Sequence, residues 1–251
     1  MGPTHAEFMM IFMALFVILV VGVILRFTLR RRSEAVRNLP LMVLAGVLLL
    51  LEVTKQVYHL VCGDWRTWYI PLHFCSYFLV WYAVALFTRG RVRQIMYFCS
   101  LVGGITVTIL LFVAPRMILF GALDNLWDTF NHFHTYFYHM GVMAYWIWLL
   151  MLNVYHPRRG HIYQVVVLYL GFFFVTIIGG HIFRENYTNV LHSRNIGVLE
   201  NLRLSVGQFP YTVLLLLIGV TVITVVSCAT YFVMQKLYRH NLNQDQLSIE
   251  G

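Results

Sequence analysis

Seven apolar runs, each close to the roughly 20 residues a helix needs to cross hydrocarbon, decide what this chain can fold into. They are Phe8 to Leu29, Leu39 to Val61, Tyr69 to Thr88, Val92 to Val113, Asn131 to Leu152, His161 to Phe183 and Phe209 to Lys236. In hydrocarbon no water bonds the backbone, so runs of this kind are helices rather than open strands. The expectation is an all-α polytopic membrane protein: one seven-transmembrane-helix bundle over residues 1–240, followed by a polar, disordered tail over 241–251. Composition agrees, since 60% of the 251 residues are hydrophobic and 11% charged. That balance excludes a membrane-anchored globular enzyme, a nucleic-acid-binding module and a secreted disulfide scaffold.

The formal charge of +8 sits mostly beside the apolar runs, where Lys and Arg set topology. Twelve of the 18 basic residues fall on one side of the expected bundle, among them Arg30, Arg31, Arg32, Arg89, Arg91, Arg93, Arg158 and Arg159. That side is read as cytoplasmic, with the N-terminus outside and the C-terminus inside. The first run is not a cleavable signal, because Glu7 precedes it and an Arg block follows it. Gly103-Gly104 interrupts the fourth run and Pro115 closes it. The two longer outer connections are Ala114 to Phe130 and Arg184 to Gln208, with Trp127 and Tyr187 placed as interfacial anchors.

An ionisable side chain inside hydrocarbon is costly unless it faces protein or water, so each one marks a candidate site. Glu52, Lys55 and His59 share a stripe of the second span, and Glu52 and Lys55 can pair. Pro71-Leu72-His73-Phe74-Cys75 opens the third span. His132, His134 and His139 lie on the fifth, and His181 ends the sixth, ahead of Arg184, Glu185, Asn186 and Tyr187. At about 1.5 Å per residue, Cys75 is roughly 9 Å and His139 roughly 12 Å from the outer ends of their helices. Lys55 and Glu52 are at roughly 9 and 13 Å by the same measure. One layer in the outer half of the membrane holds them all, which predicts a single polar cavity.

Each residue also has a plainer role. His59, His132 and His181, taken singly, are ordinary helix-packing contacts more often than catalysts. Glu52 with Lys55 is as well suited to a structural ion pair as to a site. Cys62, Cys99 and Cys228 read as inert packing residues. Four cysteines without a C-x-x-C pair give no thiolate metal set. His73, His132, His134 and His139 offer nitrogen ligands, but two residues apart on a helix point in different directions, so no metal site is expected.

Pro71-Leu72-His73-Phe74-Cys75-Ser76, Phe133-His134-Thr135-Tyr136-Phe137-Tyr138-His139, Asn186-Tyr187 and Gly207-Gln208-Phe209-Pro210-Tyr211 follow one another in a familiar order. In that order and spacing the chain resembles the YwaF family of integral membrane proteins, the bacterial branch of the transmembrane protein 164 family, from about Glu7 to Val233. Two features depart from the two branches: His73 ahead of the cysteine belongs to the bacterial pattern, and Gly207-Gln208-Phe209-Pro210 replaces its Trp-rich form.

The resemblance implies about seven helices. For the vertebrate branch it implies a cysteine acyltransferase that moves fatty acyl chains from phosphatidylcholine to lysophospholipids. Carried over, the nucleophile falls on Cys75 and the acid/base on His139, with His73, Glu52, Lys55, His134, Asn186 and Tyr187 as supporting or substrate-binding candidates. The partners expected are membrane phospholipids and a lyso-lipid or other lipid-linked acceptor; no cofactor and no nucleic acid are expected. The rival class is a non-enzymatic seven-helix transporter or receptor with the same cavity, although no inverted repeat is visible.

Overall fold

The computed structural model describes residues 5–119, 121–123, 126–192 and 197–247, with side chains between residues 8 and 238. Among the described residues there are nine α-helices: α1 His5–Leu29, α2 Glu34–Cys62, α3 Tyr77–Phe87, α4 Gly90–Val113, α5 Pro115–Leu119, α6 Phe130–Met151, α7 Arg159–Phe183, α8 Gly197–Val206 and α9 Gln208–Leu247. Five of them, α1, α2, α4, α7 and α9, are long and apolar enough to cross a membrane. The chain is an all-α polytopic integral membrane protein.

Seven helices coincide with the seven apolar runs, but two do not meet the criteria for a span. With 22 residues, α6 has the length, yet it is crowded with His, Tyr and Trp because it lies at the centre and packs against α1, α2 and α4. The third run is the larger correction. Its α-helix has only 11 residues, about 16 Å against a hydrocarbon core of about 30 Å. Ahead of it come 3-10 turns at Thr67–Tyr69 and Phe74–Ser76. Pro71 is the cause: it has no N–H to give and excludes the helical conformation at the residue before it, and Ile70 accordingly has ψ 131°. Cys75 is therefore in a turn, not one helical layer down. Irregular backbone is tolerated at membrane depth when protein buries it or a cavity borders it.

Other boundaries move for local reasons. α2 begins at Glu34, ahead of Pro40, because Asn38 accepts a hydrogen bond from Tyr97 Oη at 2.7 Å and Arg37 donates to Leu152 O at 3.2 Å. The expected outer loops contain α5, started by Pro115 at its first position, and α8. α9 carries on through Leu247, so 241–247 are helical rather than a disordered tail. Residues 120, 124–125, 193–196 and 248–251, parts of the expected loops and tail, lie outside the described residues.

The core is aromatic. Tyr77, Phe78, Trp81 and Tyr82 of α3 meet Tyr97 and Phe98 of α4, Tyr145 of α6 and Tyr169 of α7. Gly103 and Gly104 do not interrupt α4. A Cβ at Gly103 would stand 2.0 Å from Tyr169 Oη, and one at Gly104 2.6 Å from Trp146 Cδ1, so the pair is where α7 and α6 close on α4. Outward, α1 and α9 leave Phe12, Phe16, Phe27, Phe209, Leu217 and Phe232 exposed, as a lipid-facing surface requires. At one end of the bundle, Arg26 donates to Met151 O at 2.9 Å and Gln94 to Val154 O at 2.9 Å. The opposite end carries the turns before α3 and the segments around α5 and α8.

Candidate functional site

Three tethers fix the turn that carries Cys75. Ser76 N–H donates to His73 O at 2.9 Å, Thr176 Oγ1 on α7 to Leu72 O at 3.1 Å, and Tyr138 Oη on α6 to Cys75 O at 3.0 Å. The last matters most, since it joins the cysteine backbone to the residue next to His139. His139 is 4% exposed, and its Nδ1 donates to Thr135 O at 2.7 Å. A carbonyl can only accept, so the ring hydrogen is on Nδ1 and Nε2 carries the lone pair. Buried Nε2 has no hydrogen-bond partner.

Cys75 and His139 border one cavity of about 350 Å³, within the roughly 300–1,000 Å³ of small-molecule sites. His73 and Asn186 line it too, and its remaining wall is mainly apolar, from Phe74, Leu110, Met117, Phe173, Val222 and Ile223. His73 Nε2 donates to Trp68 O at 3.3 Å, and its ring stands edge-on to Trp68 and Tyr187. Asn186 holds its own loop: Oδ1 accepts from Leu191 N–H at 2.9 Å and His192 N–H at 3.1 Å, while Nδ2 donates to His192 O at 2.8 Å. Tyr187 is fully buried behind Trp68 and donates from Oη to Thr67 O. Burial pushes this phenol up to about 12, so it remains a donor at any ordinary pH.

The carboxylate and ammonium of α2 form a cluster beside the cavity, not in its wall. Lys55 Nζ is 2.7 Å from Glu52 Oε1, and Gln56 Nε2 donates to the same oxygen at 2.8 Å and to Tyr69 O at 2.6 Å. His134 Nε2 lies 3.1 Å from Glu52 Oε2, near enough for an ion pair but poorly aligned for a hydrogen bond. Glu52 thus holds Lys55 and faces His134; it does not orient His139, which Thr135 does. His59 is a structural pin, bonded to Asp64 at 2.8 Å and to Asn131 at 2.7 Å and stacked on Tyr69. His181 is exposed at the end of α7. Among the described residues no three His, Cys, Asp or Glu side chains are grouped to hold a metal ion.

Sequence reading missed part of the wall. Trp68, Thr106, Thr188 and Asn189 line the cavity. Thr188 is left-handed at φ 49°, a costly conformation for a β-branched residue, and its buried hydroxyl has no partner. The one sequence signal for Thr188 and Asn189 is adjacency to Asn186-Tyr187, and for Trp68 adjacency to Pro71; Thr106, in the middle of α4, gave none. Gly219, Val222 and Ile223 of α9 gave none, because nothing local distinguishes them from the rest of a lipid-facing helix.

The chain belongs to the TMEM164 family, whose sequence pattern matches residues 1–231. No curated protein matches it. No solved structure matches it either.

Proposed function

We propose that this protein is a membrane-embedded acyltransferase that moves a fatty acyl chain from a phospholipid to a lyso-lipid or other lipid-linked acceptor through a thioester on Cys75. One observation carries the reading: a thiol and an imidazole from separate elements face one largely apolar cavity, and the imidazole has a fixed tautomer and an unused Nε2. Family membership favours the same activity by resemblance. His73 ahead of the cysteine favours the bacterial YwaF branch. With it go seven spans, an outside N-terminus and a cavity on the extracytoplasmic side.

In the first half-reaction the Cys75 proton passes to His139 Nε2 as sulfur attacks the ester carbonyl. The carbon–sulfur bond forms, the ester carbon–oxygen bond breaks, and His139 returns the proton to the departing lyso-lipid oxygen. In the second, an acceptor hydroxyl gives its proton to His139 and attacks the thioester, and the released thiolate recovers that proton. Thr188 Oγ1, unpartnered on the cavity wall, is the candidate donor to the oxyanion, and Asn186, whose Nδ2 is held by His192, positions the loop that carries it. Lys55 contributes positive charge from outside the wall, held by Glu52.

The test is incubation of the purified protein with phosphatidylcholine carrying a labelled acyl chain, followed by mass spectrometry of the Cys75 peptide. A hydroxylamine-sensitive acyl adduct on Cys75 is expected, with label then reaching added lysophospholipid. Cys75→Ala abolishes both. Transfer that persists at the wild-type rate in Cys75→Ala overturns the proposal.

A further inference from the structure

A second cavity, of about 230 Å³, lies at the basic end of the bundle. Its wall joins the first turn of α4 to the first turn of α7. Gly90, Arg91, Arg93 and Gln94 come from α4, and His156, Arg158 and His161 from the approach to α7 and its start. Along α4 its nearest wall residue, Gln94, is twelve residues, about 18 Å, from Thr106 of the candidate active cavity, so the two are separate.

Three independent features there point to an anion. The first is charge: three arginines line the cavity against one carboxylate, Glu34, which lies 3.5 Å from His156 Nε2, and of the three Arg93 is held through Nε by Ala85 O at 3.1 Å. Among the described residues no carboxylate pairs with Arg91, Arg93 or Arg158.

The second is the backbone. α4 and α7, 24 and 25 residues long, both start here, and neither N-cap, Arg89 or Arg158, makes a side-chain capping bond. Each helix start exposes N–H groups without intrahelical acceptors and the positive end of the helix dipole. Two such ends beside one cavity suit an anion with several acceptor oxygens.

The third is His161, 2% exposed. Its Nδ1 is 3.0 Å from Tyr155 Oη, and its buried Nε2 has no partner. The Arg158 backbone N–H donates to the Tyr155 oxygen, which leaves the phenol hydrogen for Nδ1; Nε2 then carries the ring hydrogen and is a donor without an acceptor. A buried donor left unmatched is destabilising, and an oxygen in the cavity would satisfy it.

We infer that this pocket binds a phosphate group through Arg91, Arg93, Arg158, His161 Nε2 and the N-terminal backbone of α4 and α7. The chemistry fits the headgroup of an anionic lipid at the bundle's end, or free phosphate. It does not depend on the activity of the other cavity.

Full-length protein in neutral nanodiscs is titrated with phosphatidic acid, with phosphatidylcholine as the neutral-headgroup control and inorganic phosphate as a separate arm. Saturable binding of phosphatidic acid is expected, weakened about tenfold or more in R91Q/R158Q but not in the charge-matched R30Q/R31Q. Phosphate competing in the millimolar range identifies free phosphate as the ligand; binding of lipid without such competition identifies the headgroup. Equal weakening in both double variants, or no saturable binding in either arm, overturns the site. A readout on the wild-type chain guards against misfolding of the variants. Phenylglyoxal modification of Arg91 and Arg158 should be blocked by the ligand while Arg30 and Arg31 still react, and unchanged modification at all four counts against the proposal.

Discussion

At the scale of single residues, the proposed chemistry divides two histidines that look alike in sequence. Both line the cavity, but His73 has Nε2 on the Trp68 carbonyl and its ring wedged between Trp68 and Tyr187, whereas His139 keeps Nε2 free. His139→Gln should slow acylation of Cys75 by about 10²–10⁴, the usual worth of a positioned acid/base group. His73→Gln, losing a wall contact, should slow it less than about tenfold, and equal losses in the two variants would remove His139 from its role. Thr188 is the other informative residue. Its left-handed backbone costs about 1 kcal/mol or more, and glycine relieves it. Thr188→Gly should therefore raise the melting temperature while lowering transfer; a fall in both would mean the hydroxyl holds the fold rather than the oxyanion. Cys75 and His139 stand out in the sequence by residue type and by the motifs of the family resemblance, whereas the depth read for Cys75 assumed a helix that Pro71 prevents. Thr188 does not stand out, because its backbone angle and its missing partner come from the packing around it.

At the scale of elements, the third apolar run is the instructive case. Hydropathy counts side chains and does not register that Pro71 stops a helix, so a 20-residue run resolves into two 3-10 turns and an 11-residue helix. The break delivers Cys75 to the cavity on irregular backbone tethered by α6 and α7. In α4 the misreading ran the other way, since Gly103-Gly104 suggests an interruption and is a crossing point. Gly103→Leu should destabilise the bundle by about 3 kcal/mol or more, because the first added carbon already meets Tyr169 Oη, which donates to Cys99 O at 3.0 Å. A thermal unfolding curve unchanged from wild type would show that α7 is free to move away.

At the scale of the whole molecule, polarity is sorted by end. Basic residues, two helix N-termini and the phosphate-type pocket share one end, while the Cys75 and His139 cavity lies toward the other. The proposed topology puts the basic end in the cytoplasm, as the positive-inside rule favours. A membrane-impermeant maleimide should then label Arg66→Cys on intact cells and Arg31→Cys only after lysis; the reverse order would place the candidate active cavity in the cytoplasm. The sequence by itself determined that the chain is helical and membrane-embedded and which ends of its helices are basic, because hydropathy and charge are sums over neighbouring residues. Only the tertiary structure decided which polar groups share a cavity. Whether His134 meets Glu52 or Cys75, and whether His161 keeps a free donor, depends on how helices distant in the chain are rotated against one another, and that rotation is set by the fit of their side chains.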